Sequence, residues 1–294
     1  MNGTRWTERL QAALPAGALA PALVTVAAFA VLFAHPFSTL VHDWLTDPDA
    51  GHGLLLFPVA LWLAWRRGVE KEPRPARRWA IVLLVGAVLL RYLSGLAAEL
   101  FTMRVSMGLA LAGLILWAYG PRQLMRWWLP TLLIALSIPL PAVVLGSIAL
   151  PLQLKASQLG AALLTSRHVP VALSGNVLHL PDRSLFVTEA CSGLRSLTAL
   201  LALGVLTGGL WLESVWTRAA LVVTAIPVAM ALNGVRIFLT GFFVYYVSPA
   251  LADGFMHYTE GWAIFVVAFV ILGGLAWLLH RLEQALSPHR GETP

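Results

Sequence analysis

Charge is so scarce in this chain that long stretches are left with nothing to solvate them. From Trp79 to Ala97 the one charged residue is Arg91, and from Ala219 to Tyr246 it is Arg236. Backbone N–H and C=O groups placed in hydrocarbon must be satisfied internally, which leaves helices or closed barrels as spanning structures. About 20 consecutive apolar residues suffice for a helix to cross. The chain is 59% hydrophobic and 12% charged, with 12 tryptophans and a mean hydropathy of +0.78. Soluble domains carry about twice that charged fraction. The expectation is an all-α polytopic membrane protein forming a single integral membrane domain over 1–294.

Spans are expected near 17–35, 52–65, 79–97, 104–120, 127–149, 189–211, 218–241 and 259–279. The N-terminus shows no cleavable signal, so the first span reads as retained. Residues 150–188 differ in character. An amphipathic stretch there gives way to "VPVALSGNVLHLP", whose β-branched runs flank a turn signal at Ser174-Gly175-Asn176. A small extramembrane flap is expected over 150–188. With the N-terminus inside, thirteen of the 20 Lys and Arg residues fall in inner segments, four outside and three within spans. Eight helices with both termini cytoplasmic follow from that asymmetry. The charge of +6 and pI near 10.1 would suggest nucleic acid in a soluble protein, but here basic inner loops explain them, and no nucleic-acid partner is expected. A single cysteine excludes an internal disulfide.

This topology brings three polar clusters to the outer side. "TEACSGLRSL" (188–197) opens the sixth span. Thr188 reads as an N-cap, which puts Cys191 in the first turn, where the positive end of the helix dipole favours a thiolate. Arg195 follows one turn later on the same face. The bland alternative is a small apolar cysteine packed in a core, against which stand its neighbours Glu189, Ser192, Gly193 and Arg195. "LNGVRI" (232–237) puts Arg236 near the outer end of the seventh span, with Asn233 on its face. An intramembrane arginine costs about 2.5–3.5 kcal/mol on insertion scales and is read as functional by default. It can grip an anion or oxyanion, or else pair structurally with Glu189 or Glu260, or snorkel. "HYTEG" (257–261) supplies His257, which titrates near neutrality, and Glu260 three residues on to orient it. His52, in "GHG" at the outer start of the second span, competes for the same role.

Other templates are absent: there is no G-x-S-x-G, P-loop or dinucleotide fingerprint. No H-x-x-x-H or H-E-x-x-H spacing appears, so neither metal nor cofactor is expected. No internal repeat supports an inverted-repeat transporter. The glycines of "GVRIFLTG" and the pairs at 208–209 and 273–274 read as helix-packing positions.

"EACSGLRSL", "NGVRI" and His257 followed by Gly261 resemble the three signature blocks of the exosortase/archaeosortase family. "GHGLLLFPVALWLAW", "IPLPAVVLGSIALPLQLKAS" and "SGNVLHLP" resemble its intervening segments in the same order, over roughly 50–280. The resemblance implies a membrane cysteine transpeptidase of the bacterial inner membrane with its site facing outward. Cys191 then matches the nucleophile, Arg236 the essential arginine and His257 the third catalytic residue. Glu189, Ser192, Arg195 and Asn233 match motif positions of supporting role. Implied partners are exported proteins bearing a Pro-Glu-Pro-like motif, a transmembrane helix and a basic tail, together with a lipid or polysaccharide acceptor and the surrounding membrane lipids. A chain ending about fifteen residues past its last span implies the short form, without the additional periplasmic domain of the longest members. A second function class remains open on the residues alone: a polysaccharide- or lipid-handling membrane protein whose outer Arg and His bind ligand while Cys191 is incidental.

Overall fold

The computed structural model of the chain describes residues 19–47, 49–181, 183–187, 194–247 and 255–286, with the backbone alone at 142, 194–196 and 255–262. These residues are mostly helical. In chain order they form α1 (Leu19–Thr46), α2 (Gly53–Arg67), α3 (Arg77–Leu96), α4 (Leu100–Ala118), α5 (Pro121–Arg126), α6 (Trp128–Leu136) and α7 (Ala142–Ser166). Three short strands follow, β1 (Ala172–Ser174), β2 (Val177–His179) and β3 (Ser184–Phe186), and then α8 (Leu194–Trp211), α9 (Val215–Tyr246) and α10 (Phe255–Leu286). Val31, Val143 and Trp216 are 81%, 85% and 85% exposed. Large apolar side chains turned outward on this scale need a lipid solvent. Within α1, α3, α4, α9 and α10, five segments are long and apolar enough to cross a bilayer, and Leu197–Trp211 is a shorter apolar helix. The chain is a multi-pass membrane protein.

Helix α9 is the hub, packing against α7, α8 and α10, while α8 also touches α10, α6 and α7. A second unit is the α3–α4 pair, met by α1 along one side. The α7–α9 seam is the closest approach. A Cβ on Gly234 would stand 2.4 Å from Leu159, one on Gly160 would stand 2.5 Å from Ile237, and one on Gly241 would stand 2.8 Å from Leu164. Small residues let backbones approach where no hydrophobic force drives helices together. The same reading holds at 208–209, where Gly209 meets Leu129. It fails at 273–274, where a Cβ on either glycine would meet nothing within 4 Å.

Two expected boundaries move. The single span at 127–149 is instead α6 and α7, interrupted over 137–141. Pro139 and Pro141 disfavour helical backbone at the residues before them, Ile138 and Leu140, and each lacks an N–H. The expected flap at 150–188 begins much later, because α7 continues through Pro151 to Ser166. What remains is an antiparallel sheet in the order β1-β2-β3, with Ser174 opposite Val177 and His179 opposite Ser184. Its first turn is Gly175-Asn176, with Gly175 at φ +63°. The Asn176 side chain donates to Val187 O (3.0 Å), and Val187 N donates back to Asn176 O (2.9 Å). Leu178 and Val187 seat the sheet on Leu164 of α7 and on Ile237 and Val244 of α9.

The α3–α4 connection is held by Glu99, the N-cap of α4. Its carboxylate accepts from Phe101 N (3.0 Å), Thr102 N (2.7 Å) and the Thr102 hydroxyl. The Thr102 hydroxyl, then the Thr102 N–H, hold its pKa below the usual carboxylate range. Glu99→Gln is expected to cost about 1 kcal/mol of stability, read from detergent thermal denaturation. A carboxyl whose folded pKa is depressed contributes stability above its unfolded pKa and loses it as pH falls through the folded value. The wild-type advantage over the glutamine variant is therefore expected to vanish in acid.

Candidate active site

Helices α8, α9 and α10, which carry or adjoin the three polar motifs, pack on one another. In their seam Asn233 and Arg236 of α9 meet Leu200 of α8 and Ile264, Phe265 and Ala268 of α10. The space between them is about 10 Å³, room for hardly one water. Asn233 is 3% exposed, and neither its Oδ1 nor its Nδ2 has a hydrogen-bond partner among the described residues. An unpaired buried amide costs about 1–3 kcal/mol, so a side chain kept this way is poised for a group that the resting seam does not supply. Arg236 is half-buried beside it, and its backbone O accepts from the Thr240 hydroxyl at 3.0 Å. The sheet packs on Ile237, the next residue, which fixes this turn of α9 from the other side.

Arg195 is the second residue of α8 and His257 the third of α10. At 1.5 Å rise per residue, Arg195 stands roughly 8 Å along the axis from Leu200, and His257 roughly 10 Å from Ile264. Glu260 is one turn before Ile264. Both N-terminal ends thus lie near the level of Arg236, and each brings the positive pole of a helix dipole. Glu189, Cys191 and Ser192 lie outside the described residues, and the side chains of Arg195, His257 and Glu260 do as well.

His52 occupies a different space. It precedes α2, and its Nε2 lies 3.2 Å from Leu136 O at the end of α6. With Trp44 Nε1 donating to Ser137 O at 2.8 Å, two side chains satisfy carbonyls freed by the α6–α7 break. Gly53 permits this: a Cβ there would stand 2.1 Å from the Trp44 indole. His52 lines a cavity of about 380 Å³ whose wall includes Thr198 and Leu201 of α8. Leu200, between them in sequence, faces the Asn233–Arg236 seam. Helix α8 therefore separates His52 from Arg236, and the two do not share a pocket.

The same cavity holds residues that the sequence reading passed over. Arg104, placed there among the outer-loop cations, is 3% exposed inside α4, with Nη2 2.7 Å from Asp43 Oδ2. That contact has the distance of an ion pair without the alignment of a hydrogen bond, and Nε also has no partner. The signal was available: an arginine at the edge of an apolar run, with an aspartate at the far end of another. Among the described residues, no group of three or more His, Cys, Asp or Glu side chains could hold a metal ion.

Polytopic helices, a motif-bearing three-helix seam and an arginine kept within it define a membrane protein of the kind the signature blocks imply. The model of the transmembrane exosortase family matches residues 44–274, from the end of α1 into α10. The chain belongs to the transmembrane exosortase family. No curated protein and no solved structure matches it.

Proposed function

We propose that this chain is a membrane-embedded cysteine transpeptidase that cleaves the C-terminal sorting signal of exported proteins and passes the product to a cell-surface acceptor. The observation that carries the reading is the mutual packing of α8, α9 and α10 around Asn233 and Arg236. The Cys191 thiolate attacks the peptide carbonyl of the Pro-Glu-Pro-like motif. Arg236 stabilises the tetrahedral oxyanion in a low-dielectric seam, and Asn233 offers its unpaired amide to the substrate backbone. His257, oriented by Glu260, takes the thiol proton and returns it to the leaving amine. The tail helix and basic end depart, leaving a thioester for a lipid- or polysaccharide-linked nucleophile. Glu189, Ser192 and Arg195 support the cysteine and the bound motif.

The site faces outward from the bacterial inner membrane in this reading. Supporting the orientation, Arg66 stacks on Trp62, Arg67 and Arg218 on Trp128, Arg77 on Trp117 and Arg281 on Trp277. All of these arginines belong to the expected inner set, and tryptophans with cations mark the membrane interface. The test is Cys191→Ala with a tagged sorting-signal substrate in membranes. Full-length precursor is expected to accumulate with tail release below detection, whereas unchanged release would end the reading.

A further inference from the structure

The 380 Å³ cavity on the His52 side of α8 is built for a ligand, and three observations identify its chemistry. The first is charge. Asp43, Asp47, Asp49 and Glu99 line it against a single guanidinium, that of Arg104, so even a protonated His52 leaves a negative excess. Glu99 is occupied by its cap and Asp43 by Arg104, while Asp47 accepts only Asp49 N, at 2.8 Å. The second is Arg104 itself, 97% removed from solvent with Nε unpartnered. A buried guanidinium N–H without an acceptor is costly, and the cavity it lines is where an acceptor oxygen would come from. The third is the wall formed by the broken segment between α6 and α7. Irregular backbone within a membrane protein is tolerated where it lines a cavity, and discontinuous helices mark binding sites.

We infer that this cavity binds the acceptor of the transfer reaction as a primary amine with an oxygen acceptor beside it, the ammonium held by Asp47 and Asp49 and the oxygen by Arg104. The inference rests on the acyl-transfer reading above. Thr198 and Leu201, which line the cavity, lie on the helix that begins beside the cysteine motif, so the amine is held across one helix from the Asn233–Arg236 seam. In the transfer the bound ammonium first gives a proton to solvent. The neutral nitrogen then attacks the thioester carbonyl, the N–C bond forms, the C–S bond breaks, and the second proton passes to the departing sulfur of Cys191. Products are the amide and the free thiol, with one net proton released.

The test uses the full chain in nanodiscs, a sorting-signal peptide, and glycinamide as probe, with glycolamide, its neutral hydroxyl counterpart, as control. Mass spectrometry reads amide against hydrolysed acid. Glycinamide is expected to divert product saturably, and Asp47→Asn or Asp49→Asn to raise the half-diverting concentration roughly tenfold. Equal half-diversion by glycolamide, or unshifted values in both variants, overturns the proposal. Glycine esterified to a vesicle lipid is a second form of the probe. Preferred capture from the vesicle assigns the amine to the bilayer, preferred capture of soluble glycinamide assigns it to the aqueous phase, and either supports the site. If no product of either kind forms, or product persists in Cys191→Ala, the acyl-transfer reading has failed instead. Calorimetric titration of glycinamide into the Cys191→Ala chain then decides the site alone: saturable binding weakened by Asp47→Asn retains it, and non-saturable binding ends it.

Discussion

Arg236→Gln is expected to lower the rate of sorting-signal cleavage by a factor of roughly 10²–10³, the range seen when one oxyanion donor is removed. Arg236→Lys should recover little, because an ammonium on a flexible stem does not reproduce the planar fork of a guanidinium. The measurement is single-turnover tail release at saturating peptide, so that chemistry rather than product departure is read. Stability separates this role from a structural one. A half-buried arginine within an apolar helix is expensive to insert, by about 2.5–3.5 kcal/mol, so replacing it with glutamine should leave thermal stability equal or higher. An arginine kept only to neutralise a buried carboxylate would behave in the opposite way. Its loss would strand that charge at about 3–5 kcal/mol, and the surviving folded fraction would turn over normally. Loss of activity with stability retained is the expected pair of results.

The largest expected effect on folding is at Gly120, which joins α4 to α5. Its φ is +87°, and an added Cβ would stand 1.8 Å from Arg74 O. The obstacle is backbone and cannot rotate away. Arg74 N donates to Tyr119 O at 3.2 Å and Ala76 N to Leu116 O at 3.1 Å, so the 74–76 segment is tied to the end of α4 on both sides of the clash. Gly120→Ala therefore combines a left-handed backbone, itself about 1–3 kcal/mol for a non-glycine residue, with displacement of these bonds. A loss above roughly 3 kcal/mol is expected. It would show as a large fall in detergent thermal midpoint and in folded yield. Gly86→Ala is the matched control, since a Cβ there meets nothing within 4 Å in mid-helix. It should raise stability by about 0.5–1 kcal/mol, and equal behaviour of the two variants would contradict the geometry.

How far the sequence was legible depended on which physical signal a region carried. The long apolar runs of α1, α3, α4, α9 and α10 declared themselves because scarcity of charge is a local property. So did the Gly175-Asn176 turn and the glycines that seat α9 on α7. The break between α6 and α7 was written in Pro139 and Pro141 but outweighed by the hydrophobicity on either side. Helix α7 was cut short because Gln153, Lys155 and Ser157 looked like surface. In a bilayer that inference reverses: Gln153 and Ser157 are buried, on the stripe that continues through Gly160 toward α9, while apolar residues face lipid. Hydropathy reports depth in the membrane and says little about which face turns inward. Convergence of the motif helices followed from topology alone. The division of His52 from Arg236 by α8 did not, since it depends on which side of one helix Thr198 and Leu200 turn, a matter of packing between segments distant in sequence. For the same reason the Arg104–Asp43 pair, one partner on α4 and the other on α1, had no local signature.

The glycine-lined contact of α7 with α9 has a mechanical consequence. Leu159, Leu164 and Ile237 sit directly over Gly234, Gly241 and Gly160, like teeth in a rack, so neither helix can slide or roll without driving a side chain into backbone. Opposite them, α10 turns Gly273 and Gly274 to empty space and is free of such keys there. A membrane protein that must let a helical tail leave sideways needs one immobile jamb and one yielding door. In this chain α7 and α9 are the jamb, and the play falls to α10.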